Sequence, residues 1–164
     1  MERNIGEVLE NNKIKLELRK RTAETEYPVN ETLIATINVE SECGGTVPER
    51  TGTRDEMKNV HKKLVDILGA DDDFIKDDAD KDDVDNIFKK IIKTIKKNDI
   101  GFVVINISCH SSIDPQTNSR VICLKDDSKY NIVPKITEVR KALDAKGTNP
   151  GIPLALFIQV ISFR

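Results

Sequence analysis

The stretch DIGFVVINIS at residues 99–108 decides the fold. Its apolar residues form a near-continuous run instead of alternating with polar ones, so both faces of the strand that it predicts must be buried. Strands buried on both faces are typical of parallel sheets that carry helices on either side. The stretch therefore predicts an α/β fold built around a mostly parallel sheet.

The segments on either side of this strand alternate between strand and helix. Upstream, residues 32–39 form a β-branched apolar run of strand length. Two amphipathic helices follow it, one with an apolar stripe over residues 57–68 and one with its apolar face over residues 84–95. Downstream come a hairpin, a third helix over residues 133–145 and a final strand over residues 153–161. With a short strand between the first two helices, this order is typical of a parallel sheet between two helical layers.

Residues 1–30 differ from the rest of the chain. They are polar, contain the basic cluster Arg19, Lys20 and Arg21, and end in a Pro-Val-Asn turn signal. We interpret them as a loosely ordered lead-in to one domain over residues 31–164. A chain of 164 residues is long enough to bury the core of a single domain.

Charge and composition argue against several classes of function. The net charge of −2 disfavours both a nucleic-acid binder and a polybasic membrane binder. No apolar run approaches the roughly eighteen residues that span a bilayer, and the first residues lack the apolar core of a secretory signal. Three cysteines without a paired framework favour free thiols in a reducing compartment. We therefore expect a cytoplasmic protein without nucleic-acid or membrane partners.

Polar side chains that could bear chemistry follow the predicted strands. Arg50 lies in a Gly- and Pro-rich loop after the first strand, and His110 lies in a turn after the central strand. The final strand ends near Gln159 and Ile161. Because ligands bind beyond the carboxyl ends of the strands in open parallel sheets, we expect these positions to share one end of the sheet.

From residue 30 onward the chain resembles the large subunit of the caspases, a family of cysteine proteases. Arg50-Thr-Gly-Thr53 is similar to the family's Arg-x-Gly-Thr loop, whose arginine lines the pocket for a substrate aspartate. The sequence FVVINISCH at residues 102–110 resembles the strand that delivers the catalytic histidine. The sequence FIQVISF at residues 157–163 aligns with the family's Phe-(Ile/Val)-Gln-Ala-Cys-Arg-Gly. The resemblance implies a caspase-like three-layer αβα sandwich with a mostly parallel sheet, in its large-subunit portion only.

The same resemblance implies a role for each site position. Arg50 and Gln159 correspond to substrate-pocket residues, and His110 corresponds to the catalytic base. Ile161 corresponds to the nucleophilic cysteine and lies 51 residues after His110, close to the family's spacing of roughly 50. An isoleucine side chain has neither a proton to lose nor a lone pair, so it cannot attack a carbonyl carbon. We therefore expect a pseudo-protease with a vestigial base, no active catalytic residue and no enzymatic activity.

The resemblance also implies a partner. The family's small subunit follows the nucleophile strand and supplies further strands, whereas this sequence ends at Arg164. We expect the final strand to present an apolar edge, which favours pairing with another chain. The hypothesis is a protein that regulates an active caspase or its precursor in cell-death signalling, through a small-subunit or dimer surface, with inhibition as the expected direction.

Two other functions remain open, and a metal site does not fit. Arg50 and Gln159 could bind acidic, aspartate-containing peptides without cutting them. Cys109 could replace the missing nucleophile beside His110, although adjacent residues of a strand point to opposite faces. We expect no metal or cofactor, because the acidic segment at residues 78–89 lacks the glycine and the final glutamate of an EF-hand loop.

Overall fold

The computed structural model describes residues 31–41, 49–146 and 151–162, so the lead-in predicted for residues 1–30 lies outside the described residues. The strands are β1 (Glu31–Asn38), β2 (Asp72–Lys76), β3 (Ile100–Ile113), β4 (Arg120–Cys123), β5 (Lys129–Tyr130) and β6 (Leu154–Ser162). The helices are α1 (Thr53–Leu68), α2 (Lys81–Lys97) and α3 (Val133–Asp144). No helix within these ranges is both long and apolar enough to cross a membrane.

The central strand of the sheet is β3, which contains the stretch quoted above. β1 pairs with β3 in parallel on one side, and β6 pairs with it in parallel on the other. β2 adds in parallel to the outer edge of β1. The four parallel strands therefore lie in the order β2, β1, β3 and β6, which confirms the predicted α/β class.

β3 extends further than the sequence predicted. It continues through Ile113, and residues 110–113 pair antiparallel with β4, which in turn pairs with β5. The turn predicted at His110 was therefore wrong. The backbone stays extended there because β4 supplies hydrogen-bond partners beyond the end of β1, and such a partner cannot be read from the local sequence.

The two faces of the sheet bury different kinds of side chain. Odd-numbered residues of β1 and β3, such as Leu33 and Ile105, join α2 and α3 in one apolar core. Even-numbered residues lie on the α1 side, where polar side chains such as Thr36 and His110 are buried next to apolar ones such as Val104. We call these the apolar face and the polar face of the sheet. The two faces differ because successive side chains of a strand point to opposite sides. Helices cover both faces, as predicted.

The apolar face is covered by α2, whose sequence matches its environment at every turn. Its N-cap Asp80 and Asp83 form a reciprocal capping box, with the Asp83 N–H donating to Asp80 Oδ1 at 2.8 Å. The apolar side chains that the sequence placed three and four residues apart are buried against the sheet, namely Val84, Ile87, Phe88, Ile91 and Ile95. This helix is the main source of apolar burial on its side of the sheet.

The polar face changes how α1 packs. The sequence predicted an apolar stripe over residues 57–68, but the buried residues of α1 are Met57 and His61, and Ile67 is exposed. The His61 Nδ1 lies 2.9 Å from Thr36 Oγ1 on β1. Because the sheet presents polar groups here, a polar side chain of α1 takes a position that the apolar pattern had given to its neighbours.

Candidate functional site

The position predicted for the nucleophile lies directly beside His110. The parallel register of β3 and β6 pairs His110 with Ile161. Neighbouring strands of a sheet lie about 4.8 Å apart, so position 161 is the immediate lateral neighbour of the histidine. His110 itself is 2 % exposed. The residue next to the buried imidazole on this side therefore has no nucleophilic atom.

Hydrogen bonds hold the side chain of Arg50 at the same end of the sheet. Its Nη2 donates to Ser108 Oγ at 2.7 Å, and its Nη1 donates to the carbonyl oxygen of Val39 at 3.4 Å. The residue is only 6 % exposed, and its Nε has no hydrogen-bond partner among the described residues. Burial lowers the pKa of the guanidinium, while Cys109, Glu56 and Glu40 act in the opposite direction. The site thus holds a buried cation whose hydrogen-bond partners in the described ranges are neutral.

The loop that carries Arg50 is shaped by Glu40. The carbonyl oxygen of Glu40 accepts from the Arg50 N–H at 2.8 Å, and its Oε1 accepts from the Gly52 N–H at 3.0 Å. Gly52 has φ +86°, a left-handed conformation that favours glycine, and it forms the N-cap of α1. Thr53 Oγ1 donates to the Arg50 carbonyl oxygen at 2.9 Å. The Arg-Thr-Gly-Thr sequence therefore encodes a tight turn from the arginine into the helix.

Gln159 lies on β6 beside Ser108, the hydrogen-bond partner of Arg50. The register of β3 and β6 pairs Ser108 with Gln159, and Ser108 accepts the hydrogen bond from Arg50. The Gln159 side chain is exposed and lines a groove of about 580 Å³ between α1 and β6, together with Phe157 and Val60. The structure thus brings the four predicted positions to one end of the sheet, but it buries the guanidinium while leaving the glutamine open.

Ser108 is a site residue that the sequence analysis missed. It joins the Arg50 and Gln159 positions, and it also accepts the Val39 N–H at its carbonyl oxygen at 2.8 Å. The signal was present, because a residue two before His110 in a strand shares its face of the sheet. That signal required the strand to continue through His110, which the predicted turn excluded.

Cys109, the predicted substitute nucleophile, lies on the opposite face of the sheet from His110. Cys109 is fully buried in the apolar core with α2 and α3. Burial raises the pKa of its thiol to about 12. A neutral thiol on the opposite face from His110 is a poor nucleophile, which counts against the hydrolase alternative.

A different cysteine lies beside the histidine. The antiparallel register pairs Cys123 of β4 with His110, and directly opposite residues of such strands share a face. Cys123 is buried, and its Sγ lies 3.9 Å from Ser112 Oγ. The sequence could not place it there, because the pairing depends on how the hairpin folds back on β3. No group of three His, Cys, Asp or Glu in the described ranges is arranged to hold a metal.

Cys109 is expected to make the protein less stable at alkaline pH. Its folded pKa of about 12 exceeds the roughly 8.5 of a free thiol, so the unfolded chain loses this proton first as pH rises. The stability that the buried neutral thiol contributes is fully present below about pH 8.5 and is lost as the pH rises toward about 12. We expect Cys109→Ala to flatten the alkaline fall of the urea midpoint. Burial also raises the pKa of the Tyr130 hydroxyl, and this effect is the same in the wild type and in Cys109→Ala. Equal alkaline falls of the urea midpoint in the two proteins would contradict the prediction.

This architecture was compared with solved structures. It matches the crystal structure of the Drosophila initiator caspase Dronc with a TM-score of 0.60. The fold is caspase-like. The match covers 80 % of this chain and 51 % of the Dronc chain, at 13 % sequence identity. This chain therefore spans about half the length of that caspase.

The caspase-like fold agrees with the predicted sandwich of helices around a mostly parallel sheet. An identity of 13 % shows the fold alone, so the roles of Arg50, His110, Gln159 and Ile161 stay predictions. No protein-family model and no curated protein matches the chain.

Proposed function

We propose that this chain is a non-catalytic caspase-like protein that binds a caspase or caspase precursor in the cytoplasm and inhibits it in cell-death signalling. The observation that carries the proposal is the register of β3 and β6, which sets Ile161 beside His110. A solved structure that shares the fold is that of an initiator caspase. A chain with this fold and without a nucleophile can compete for contacts that a caspase makes, without cutting substrate.

The lack of a nucleophile is supported on both sides of His110. Ile161 offers no lone pair, and Cys109 lies on the apolar face with a raised pKa. Cys123 shares the face of His110 but is 3 % exposed, so a peptide carbonyl cannot reach its sulfur in this conformation. A Cys-His protease needs a thiolate that substrate can approach.

Binding is supported by the outer edge of β6. Among the described residues, β6 pairs only with β3. Leu156, Phe157 and Ile158 are exposed along this edge, and the groove between α1 and β6 adjoins them. Large exposed apolar side chains on a strand with unpaired backbone groups favour the addition of a strand from another chain.

The test is a mixing experiment with a caspase precursor from the same organism. We expect the two proteins to elute together in size-exclusion chromatography, and the precursor to cleave itself more slowly as this chain is added. A saturating amount of the chain that leaves both the elution and the self-cleavage rate of the precursor unchanged would contradict the proposal. A faster rate in a stable complex would retain the binding and reverse the direction of regulation.

The purified chain is expected to lack protease activity of its own. Its rate of hydrolysis of aspartyl peptide substrates should equal that of His110→Ala, because the imidazole has no thiolate to assist. The measurement is release of a fluorescent leaving group, compared between the two proteins at equal concentration. Activity in the wild type that the His110→Ala variant loses would show a working nucleophile.

A second candidate function rests on Arg50. The guanidinium has no carboxylate partner in the described ranges, and Gln159 lies beside its partner Ser108. Because Arg50 is only 6 % exposed, an acidic ligand can pair with it only if the site opens. In that case the chain would bind a short peptide ending in aspartate, and Arg50→Met would abolish the binding. Arg54→Met is the matched control, because Arg54 lies in the first turn of α1, four residues from Arg50, is half-exposed and pairs with Glu40. Equal binding by both variants would remove this candidate.

A further inference from the structure

The solvent-facing side of α2 carries five exposed lysines: Lys89, Lys90, Lys93, Lys96 and Lys97. Residues three and four apart share a face of a helix, so Lys89, Lys93 and Lys97 line up along it. The ion pairs of the described residues involve other basic groups and none of these five. We call this set the lysine ridge.

The lysine ridge is not explained by the helix that carries it. Lys96 and Lys97 lie in the last turn, where positive charge interacts favourably with the helix dipole. Lys89 and Lys93 lie further back, where that interaction has faded, and like charges four residues apart repel each other. The helix dipole therefore accounts for Lys96 and Lys97 but not for Lys89 and Lys93.

Two acidic residues of α2 are already engaged with basic groups outside the lysine ridge. Asp83 pairs with Lys76 at 2.9 Å, and Asp85 pairs with Lys135 at 3.2 Å while accepting from the Tyr130 hydroxyl. The overall charge of −2 consequently conceals a local surplus of positive charge on one surface. A surface of this kind attracts an anionic partner and increases its rate of association.

The lysine ridge borders a groove between α2 and α3. Two adjoining cavities of about 560 and 400 Å³ share Ile92 and Lys96. Ala142 and Ala145 of α3 complete the apolar part of the lining. On the α3 side Lys141 adds a basic group, and Glu138 adds a carboxylate that pairs with Lys135 at 3.8 Å. The basic rim favours an acidic ligand, and the apolar floor favours an apolar side chain within it.

We propose that this groove binds an acidic peptide segment of a partner protein, which places one apolar side chain over Ile92 between carboxylates that pair with the lysine ridge. A membrane surface fits less well, because its binding requires apolar side chains that protrude beyond the basic ones, whereas Ile92 lies half-buried between lysines. The groove lies on the apolar-face side of the sheet, away from Arg50 and His110. The proposal is therefore independent of the function proposed above.

The probe is a fluorescein-labelled peptide of sequence Glu-Glu-Asp-Leu-Glu-Glu-Asp, followed by fluorescence anisotropy with the purified chain. We expect the double variant Lys93→Glu, Lys96→Glu to bind about tenfold more weakly or worse, because two attractive rim charges become repulsive. The control variant Lys62→Glu, Lys63→Glu changes two exposed lysines of α1 and should bind as the wild type does. Equal thermal unfolding midpoints will show that both variants fold.

Two further arms separate this groove from other anion sites. Replacing the leucine of the peptide by serine should weaken binding, and about 1 M salt should weaken it strongly, since charges are screened within about 3 Å there. Binding that both lysine variants retain, or that Arg50→Met abolishes instead, would overturn the proposal. So would a chain that ignores the peptide but binds vesicles of equal parts phosphatidylserine and phosphatidylcholine.

Discussion

Replacing Phe88 with alanine is expected to lower the free energy of unfolding by about 3–5 kcal/mol. Phe88 is 1 % exposed and lies in the core between α2 and the apolar face of the sheet, so truncation both loses apolar burial and leaves a cavity. Domains of this size have total stabilities of about 5–15 kcal/mol, which makes the loss a large fraction of the whole. The measurement is urea unfolding followed by circular dichroism, compared with the wild type.

Phe157→Ala is the matched control for this prediction. The same atoms are removed, but Phe157 is 53 % exposed on the edge of β6. Its loss should cost less than about 1 kcal/mol, as is usual for surface substitutions away from special features. Similar losses for the two variants would mean that α2 does not pack on the sheet as described.

Replacing Phe157 with aspartate is expected to weaken binding to a caspase precursor by about a hundredfold. Interfaces concentrate their binding energy in a few central residues, and buried aromatic side chains are enriched among them. A carboxylate at that position would also have to be desolvated without a partner charge when the edge is covered. The binding constant can be measured by isothermal titration calorimetry, with the self-cleavage rate of the precursor as a second readout.

Ile67→Asp serves as the control for the edge. Ile67 is an apolar residue that is 78 % exposed on α1 and absent from the groove beside β6. A partner that adds to β6 should bind this variant as it binds the wild type. If Phe157→Asp binds as tightly as Ile67→Asp does, the partner uses another surface, and the β6 edge has no part in the proposed regulation.

The two faces of the sheet divide stability from the candidate site. The apolar face and α2 supply the continuous core, and nothing in the proposed function depends on its individual side chains. The polar face holds Arg50, Ser108 and His110, whose burial costs free energy unless their polar groups are paired. Truncation of buried side chains on the apolar face should therefore lower the free energy of unfolding, whereas changes at exposed positions of β6 should alter binding with little effect on unfolding.

Much of the architecture was determined by local sequence. The apolar run of β3, the apolar repeat of α2 and the alternation of strands and helices each predicted an element that the structure contains. These patterns are reliable because a buried strand or helix face must be apolar at the spacing of its own backbone. The caspase resemblance rested on short motifs around Arg50, His110 and Gln159, and the caspase-like fold agrees with it.

Only the tertiary structure decided which residues became neighbours. The extension of β3 to Ile113, the placement of Cys123 beside His110 and the bond from Arg50 to Ser108 join segments that are far apart in the chain. The burial of His61 in place of the apolar stripe on α1 depended on the polar face that β1 presents. Periodicity along one element reports which side of it is buried. It carries no information on strand register or on the chemistry of the surface opposite, because both are set by residues in other elements.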